Sequence, residues 1–372
     1  MKSLKSILGV EPTIRVQSSG RVNLIGEHTD YNGGFVLPTL IPQQTSIEMR
    51  PNGTDRVRVS STSVEDAGQV LEYSLGHEQR SSGWLDYVQG VTHVLKRQGF
   101  SISGFDAVIH SEIPMGGGLS SSAALEVALM RALRQGFSLS LGDVEIARLS
   151  QKVENDFVGA RVGVMDPMAC SLAEPGIALF LDTRSMEYQK VALPKNVELM
   201  VIHSGVSHRN CGGGYNTRRS ECEQACEQLG VSELRDLGVS DLPRLKVISP
   251  LLQKRARHVI QENDRVLAAV QAIRSQDLSR LGELFRESHA SMRDDYEVSI
   301  PEIDLLVELT CQQPSVYGAR LTGGGFGGSI VALVHPHQGP ATALQIGSEY
   351  QKRTGIEPRI LVPAQRSTLT RI

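Results

Sequence analysis

The sequence predicts an α+β fold in two domains, and three observations carry that expectation. Its 372 residues exceed what one ordinary core accommodates. Strand-like and helix-like stretches interleave without a regular βαβ rhythm, which argues for α+β layers rather than a doubly wound sheet. Around residue 195 a β-rich half gives way to a more helical one, so the expected division is 1–195 and 196–372.

Residues 14 to 60 read mostly as strands and turns, with β-branched alternation in Thr45–Arg50 and Arg56–Ser60. Asp86–Arg97 has the pattern of an amphipathic helix and is closed by Gly99. Phe105–His110 reads as a strand running through Ile113 and Pro114 into a glycine-rich turn, MGGGLSSSAA, and then a long apolar helix through Leu133. A further helix is expected from Gly142 to Phe157, with a loop, VGARVGVMDPMA, after it. Ile177–Leu181 and Glu198–His203 read as strands; Asn216–Leu229, Pro250–Ser275 and Leu278–Met292 read as helices. Thr322–Gly328 is a second glycine-rich turn, leading into the strand Ser329–Val334.

Composition narrows the partners. Thirty-eight basic residues against 41 acidic ones leave a formal charge of −3, so nothing draws the chain generally toward nucleic acid or a membrane. Any phosphate must be bound locally. No window holds 18 apolar residues, and the N-terminal MKSLKSILGVEP lacks the apolar core and cleavage site of a signal peptide. The five cysteines (Cys170, Cys211, Cys222, Cys226 and Cys311) are odd in number and lack the spacing of a zinc site, which fits reduced thiols and a cytoplasmic location.

Two turns carry chemistry. Gly116, Gly117 and Gly118 precede Leu119 and the hydroxyl run Ser120, Ser121, Ser122, and a helical pattern starts directly behind. Glycines let several backbone N–H groups approach a polyanion, and the helix adds its positive end. The serines could cap that helix or reach a phosphate or magnesium ion. Neither GxxxxGK[ST] nor a convincing GxGxxG is present, and a helix entered through a flexible turn reads as well from these residues alone. The second turn lies in GRVNLIGEHTDYNGG, where Glu27, His28, Asp30, Tyr31 and Asn32 crowd one loop. Charged acceptors of fixed geometry suit sugar hydroxyls. An Asx turn at Asp30–Asn32 explains the same residues, and a single imidazole beside Glu27 makes a poor metal site.

Here a resemblance enters. GRVNLIGEHTDYNGGFVLP resembles the galactokinase signature nearly in full. PMGGGLSSSAALEVA and LTGGGFGGSIVAL resemble the second and third motifs of the wider superfamily of galacto-, homoserine, mevalonate and phosphomevalonate kinases. VENDFVGARVGVMD, YNTRRSECE and ESHASMRDDYEVS are also galactokinase-like, so the resemblance spans roughly residues 14 to 335. It implies an N-terminal domain like the second domain of ribosomal protein S5, a C-terminal ferredoxin-like domain, and an active site in the cleft between them. It implies phosphorylation of α-D-galactose at the C1 hydroxyl by MgATP, in one in-line step; the chain is expected to be a monomer. A kinase for arabinose, galacturonate or N-acetylgalactosamine, or a non-catalytic sensor of galactose and ATP, are the rival readings.

The resemblance also implies roles. Asp166 matches the aspartate beside the C1 hydroxyl, which can accept its proton. Arg21 matches the arginine paired with it, a cation that favours the carboxylate or stabilises the transferring phosphoryl group. Glu27, His28, Asp30, Gly163 and Tyr215 match sugar contacts, and Ser122 and Glu154 match magnesium ligands. Gly116, Gly117, Gly118, Leu119, Ser120, Ser121 and Ser122 match the nucleotide's phosphate loop. Trp84 and Tyr87 match aromatics near the adenine, a spacing that core residues also adopt. His289, Arg293 and Asp294 read as a structural ion-pair network, and His110 and His203 as structural. The chain departs from the family pattern at Ser18–Ser19, at Pro167 after the expected base, and at Gly214 before Tyr215. Pro167 removes an amide donor beside the base.

Overall fold

The structure is a computed structural model and describes residues 2–64, 67–81, 83–206 and 214–362. Contact density divides the chain into two compact units, each gathered from segments far apart in sequence. One comprises 1–21, 43–115 and 120–173; the other comprises 22–42, 116–119 and 174–372. Residue 195 lies inside the second.

The first unit packs helices on a sheet. Strand β1 (Ile14–Asn23) starts here and ends in the second unit, as does β3 (Pro38–Pro51) in reverse. Strand β6 (Phe105–Ser111) pairs antiparallel with β3, from Thr45 against Ser111 to Pro51 against Phe105. On its other side β6 takes β4 (Arg56–Ser61) in parallel, and β5 (Val70–Ser74) closes the edge antiparallel to β4. Buried Asp106 anchors this edge, accepting from Arg58 Nε at 2.8 Å and Asn52 Nδ2 at 3.0 Å. The helices are a short α1 (Leu4–Leu8), then α2 (Leu85–Arg97), α3 (Ser121–Phe137), α4 (Asp143–Lys152) and α5 (Met165–Leu172). Helix α2 buries Val88, Val91 and Leu95, the i, i+3, i+7 stripe that makes it amphipathic.

Two sequence expectations change here. The helix expected from Gly142 to Phe157 is α-helical only to Lys152; Val153–Val158 form a wider π-helical turn, closed by Gly159 in a left-handed conformation. The N–H groups of Gly159 and Ala160 both bond to the Glu154 carbonyl, at 2.7 and 2.9 Å. The stretch VGARVGVMDPMA is not all loop, because α5 begins at Met165. Pro167 falls in its first turn, where the backbone N–H has no intrahelical acceptor, so proline is tolerated.

The second unit holds β7 (Ile177–Asp182) between β2 (Phe35–Val36) and β8 (Tyr188–Ala192), all antiparallel. A four-stranded antiparallel sheet follows the order β10 (Val316–Thr322), β11 (Ser329–Val334), β9 (Glu198–His203), β12 (Arg359–Val362). Helices α6 (Gly214–Leu229), α7 (Pro250–Ser275), α8 (Leu278–Asp294), α9 (Pro301–Cys311) and α10 (Gly339–Thr354) belong to the same unit. Its core joins Met200, Ile202, Leu321, Ile330 and Ala332 of the sheet to Val259, Met292 and Leu306 of the helices. Ser249 caps α7 through Leu252 N–H, and Pro250 sits at the first helical position. Cys170, Cys222, Cys226 and Cys311 are free thiols, and Cys211 lies outside the described residues. His110 Nδ1 bonds Thr62, and His203 Nδ1 accepts from Gly205 N–H. Arg293 pairs with Asp294, whereas His289 meets Asp304 at 3.3 Å. Among the described residues no helix is long and apolar enough to cross a membrane.

Helix α8 meets β10 backbone to backbone. A Cβ on Gly282 would lie 2.2 Å from the Tyr317 carbonyl oxygen, and one on Gly318 would lie 2.2 Å from that of Gly282. Gly282→Ala therefore forces the two elements apart. We expect a loss of roughly 1–3 kcal/mol, as for overpacked cores, read as a lower midpoint in thermal unfolding by circular dichroism.

Candidate active site

In the first unit a carboxylate is gripped from two sides. Asp166 stands in the first turn of α5, where the helix N-terminus favours negative charge. Its Oδ1 accepts from Arg21 Nε at 2.7 Å and Nη2 at 2.5 Å, and its Oδ2 accepts from the Ser120 hydroxyl at 2.5 Å. The Arg21 side chain is 5% exposed but that of Asp166 is 32% exposed, so one face of the acid stays open. Ser120 precedes α3 with φ +59°, a left-handed conformation rare outside glycine, and its side chain makes no capping bond. The hydroxyl expected to cap the helix is spent on the acid instead.

Ser121 and Ser122 follow in the first turn of α3. Ser122 bonds the carboxylate of Glu154, which the π-helical turn carries. Burial pushes the Glu154 carboxyl up to about 7; the Ser122 bond opposes the shift and the Asp166 charge adds to it. Glu126, one turn beyond Ser122, is fully buried, and neither carboxylate oxygen has a hydrogen-bond partner among the described residues. Burial, with the charges of Glu154 and Asp166, holds it well above the ordinary carboxylate range. Tyr87 of α2 is raised by burial and then by Glu154 and Glu126, so it faces the same acids. Trp84 stands at the N-cap of α2 and is half-buried, and Gly163 is buried just before α5.

The second unit holds the other expected residues. His28 is buried at φ +63°, and burial lowers its imidazole to about 3, so the ring is neutral. Its Nδ1 meets the Tyr31 hydroxyl at 2.8 Å, which meets the Tyr296 hydroxyl at 2.7 Å, which meets Cys222 Sγ at 3.1 Å. Tyr215 of α6 packs its ring 5.4 Å from that of His28 and 5.2 Å from that of Tyr31. Glu27 is buried, and its Oε1 accepts the Gly323 N–H at 2.8 Å. Asp30 lies in a short 3-10 turn, where its Oδ1 accepts the Tyr31 N–H. The two glycine-rich turns touch without side chains between them: a Cβ on Gly323 would lie 2.8 Å from the Gly118 carbonyl oxygen. Ser329 donates to the Gly117 carbonyl oxygen at 2.8 Å, and Leu119 is buried while Gly116 is exposed.

The galactokinase galactose-binding signature matches residues 2–51. The N-terminal domain of the GHMP kinases matches residues 86–174 and their C-terminal domain residues 269–352. Galactokinase of Lactococcus lactis, solved with galactose, superposes with a TM-score of 0.91 at 34% identity, covering 96% of this chain and 95% of that one. The chain belongs to the galactokinases. Two-domain relatives outside that family share the fold alone. Methanococcus jannaschii mevalonate kinase gives a TM-score of 0.66 at 18% identity, covering 93% of this chain and 97% of its own. Streptococcus pneumoniae phosphomevalonate kinase, solved with phosphomevalonate and AMPPNP, gives 0.67 at 16%, covering 94% and 100%.

As a galactokinase the chain is an ATP-dependent sugar kinase with the two-domain α+β fold of the GHMP kinases. Sequence reasoning missed several residues of these sites. Tyr296 stood inside the galactokinase-like ESHASMRDDYEVS, where only its family match marked it. Glu126 stood inside the quoted PMGGGLSSSAALEVA but drew no role, since a glutamate in a helix reads as solvated until the helix is seen to be buried on that side. Its burial has a measurable consequence. Above the usual carboxylate pKa the unfolded chain releases this proton and the folded galactokinase keeps it, so stability falls as pH rises. The slope is about 1.4 kcal/mol per pH unit while that holds. Glu126→Gln lacks the slope, and its thermal midpoint should gain on the parent between pH 5 and pH 8; a constant difference contradicts the assignment.

Proposed function

We propose that this galactokinase moves the γ-phosphoryl group of MgATP directly onto the C1 hydroxyl of α-D-galactose. Asp166 accepts the hydroxyl proton as the sugar oxygen forms its bond to phosphorus. The bond to the β-phosphate oxygen breaks and its electrons leave with ADP. The observation that supports this reading is the Arg21–Asp166–Ser120 junction: the acid is bonded to the residue that directly follows the Gly116–Leu119 turn. A carboxylate fixed on one side and open on the other suits a general base, and so transfer without a covalent enzyme intermediate.

Arg21 keeps a positive charge against the acid and is aimed by two nitrogens at one oxygen, which fixes the carboxylate's rotation. The backbone N–H groups of Gly116, Gly117, Gly118 and Leu119, with Ser120 and Ser121, hold the triphosphate. Trp84 and Tyr87 flank the adenine. Glu27, His28, Asp30, Gly163 and Tyr215 take the sugar hydroxyls, His28 as a neutral ring.

The bonded Ser122 hydroxyl and Glu154 carboxylate offer oxygen donors only, which fits magnesium. Among the described residues no group of three acidic, histidine or cysteine side chains surrounds a metal position, and magnesium asks for no more than one or two protein ligands beside phosphates and water. Bound there, the ion would neutralise charge on the β- and γ-phosphates.

Asp166→Asn tests the base. Turnover on galactose should fall by about 10²–10⁴-fold, the usual contribution of general base catalysis, with the circular dichroism spectrum and the KM for ATP retained. Phosphorylation at the normal rate overturns the assignment. ADP release measured with galactose, arabinose, galacturonate and N-acetylgalactosamine should favour galactose, and a flat response overturns the substrate.

A further inference from the structure

The main chain from Asn23 to His28 carries the first sugar contacts of the reading above, and buried side chains from distant elements hold it. Leu24 N–H and the Ile25 carbonyl pair with Leu37. The other groups go elsewhere. Arg320, fully buried on β10, donates through Nη1 to the carbonyls of Asn23 at 3.1 Å and Leu24 at 3.0 Å, and lies 3.5 Å from Glu27 Oε1. Glu262, fully buried on α7, accepts at Oε1 from Gly26 N–H at 2.9 Å and Glu27 N–H at 3.4 Å. Ser288 of α8 donates to the same oxygen at 2.7 Å, and Arg265 Nε to Oε2 at 2.7 Å. His258 Nε2 meets the Glu27 carbonyl at 3.1 Å, and Arg320 lies 3.8 Å from Glu262.

Stability alone does not call for this arrangement. A buried ion pair replaced by well-packed apolar residues is often no less stable. Apolar residues cannot, however, hold two carbonyls, two amides and a carboxylate in fixed directions. Gly26 adds to the demand: its φ is +101°, and a Cβ there would lie 2.6 Å from the Phe35 carbonyl oxygen. Burial alone would raise the Glu262 carboxyl, but Arg265, His258 and Arg320 outweigh it and hold it well below the ordinary range.

We propose that Glu262 and Arg320 are positioning residues for sugar binding, fixing the main-chain path of Asn23–His28 and with it the aim of Glu27 and His28. This rests on the reading that the Glu27–Asp30 turn takes the sugar. Glu262→Gln keeps the shape but turns an N–H₂ toward groups that themselves donate. The KM for galactose should rise about tenfold or more, while the KM for ATP and the kcat at saturating galactose stay within about twofold, the split expected when only sugar binding is weakened. Ser288→Ala, a milder change to the same oxygen, should raise the galactose KM about two- to threefold with no effect on ATP, and it decides the matter if Glu262→Gln does not fold. Galactose KM unmoved in the folded variants, or galactose and ATP KM rising together, overturns the proposal. Asp30→Asn, run alongside, separates the two layers. If it raises the galactose KM and Glu262→Gln does not, the sugar turn stands and the positioning role falls. If Asp30→Asn leaves that KM unchanged, both fall.

Discussion

The carboxylate of Asp166 cannot be held by Arg21 and Ser120 at once unless three segments meet: the end of β1, the start of α3 and the start of α5. That requirement governs the first unit. The strand must deliver Arg21 with its side chain buried, and the turn before α3 must twist Ser120 into a left-handed conformation. The helix carrying Asp166 must begin late enough for the acid to stand in its first turn. The π-helical turn at Val153–Val158 belongs to the same logic, because the wider winding sets where Glu154 meets Ser122. Widened turns of this kind occur often at functional positions.

Three of the eight non-glycine residues at positive φ among the described residues fall in the motif stretches. His28, Ser120 and Phe326 are non-glycine residues at positive φ, and each lies in one of the three stretches that resemble superfamily motifs. Such conformations cost of order 1–3 kcal/mol each and persist only where surrounding contacts over-determine them. The contacts are visible. The Phe326 N–H is held by the Val298 carbonyl oxygen, His28 by the Tyr31–Tyr296–Cys222 chain, and Ser120 by Asp166.

Much of this was legible from the chain. Helix α7 and strand β11 fall where the sequence reading places them, Pro250–Ser275 and Ser329–Val334, because a long helical pattern and the apolar run SIVALV are strong local signals. Helices α9 and α10 and strands β10 and β12 drew no expectation: they follow short or mixed patterns whose type is decided by what they pack against. The family motifs pointed to residues gathered at Asp166 and around His28. Hidden from sequence was the polar stripe Arg255, His258, Glu262 and Arg265 along one face of α7. Charged residues at helical spacing ordinarily read as a solvated face, and only the fold shows that this face is buried. Pro167, a departure from the family pattern, proved structurally mild because it falls where a helix has no use for the amide.

The anchors of the Asn23–His28 segment lie far along the chain: Glu262 is 236 residues beyond Gly26, and Arg320 is 297 beyond Asn23. During synthesis this early segment leaves the ribosome long before its partners exist. At typical elongation rates the interval is on the order of tens of seconds. Through that time its amides and carbonyls are met by water or by chaperones, and a nascent chain halted before residue 320 lacks the guanidinium that completes the turn.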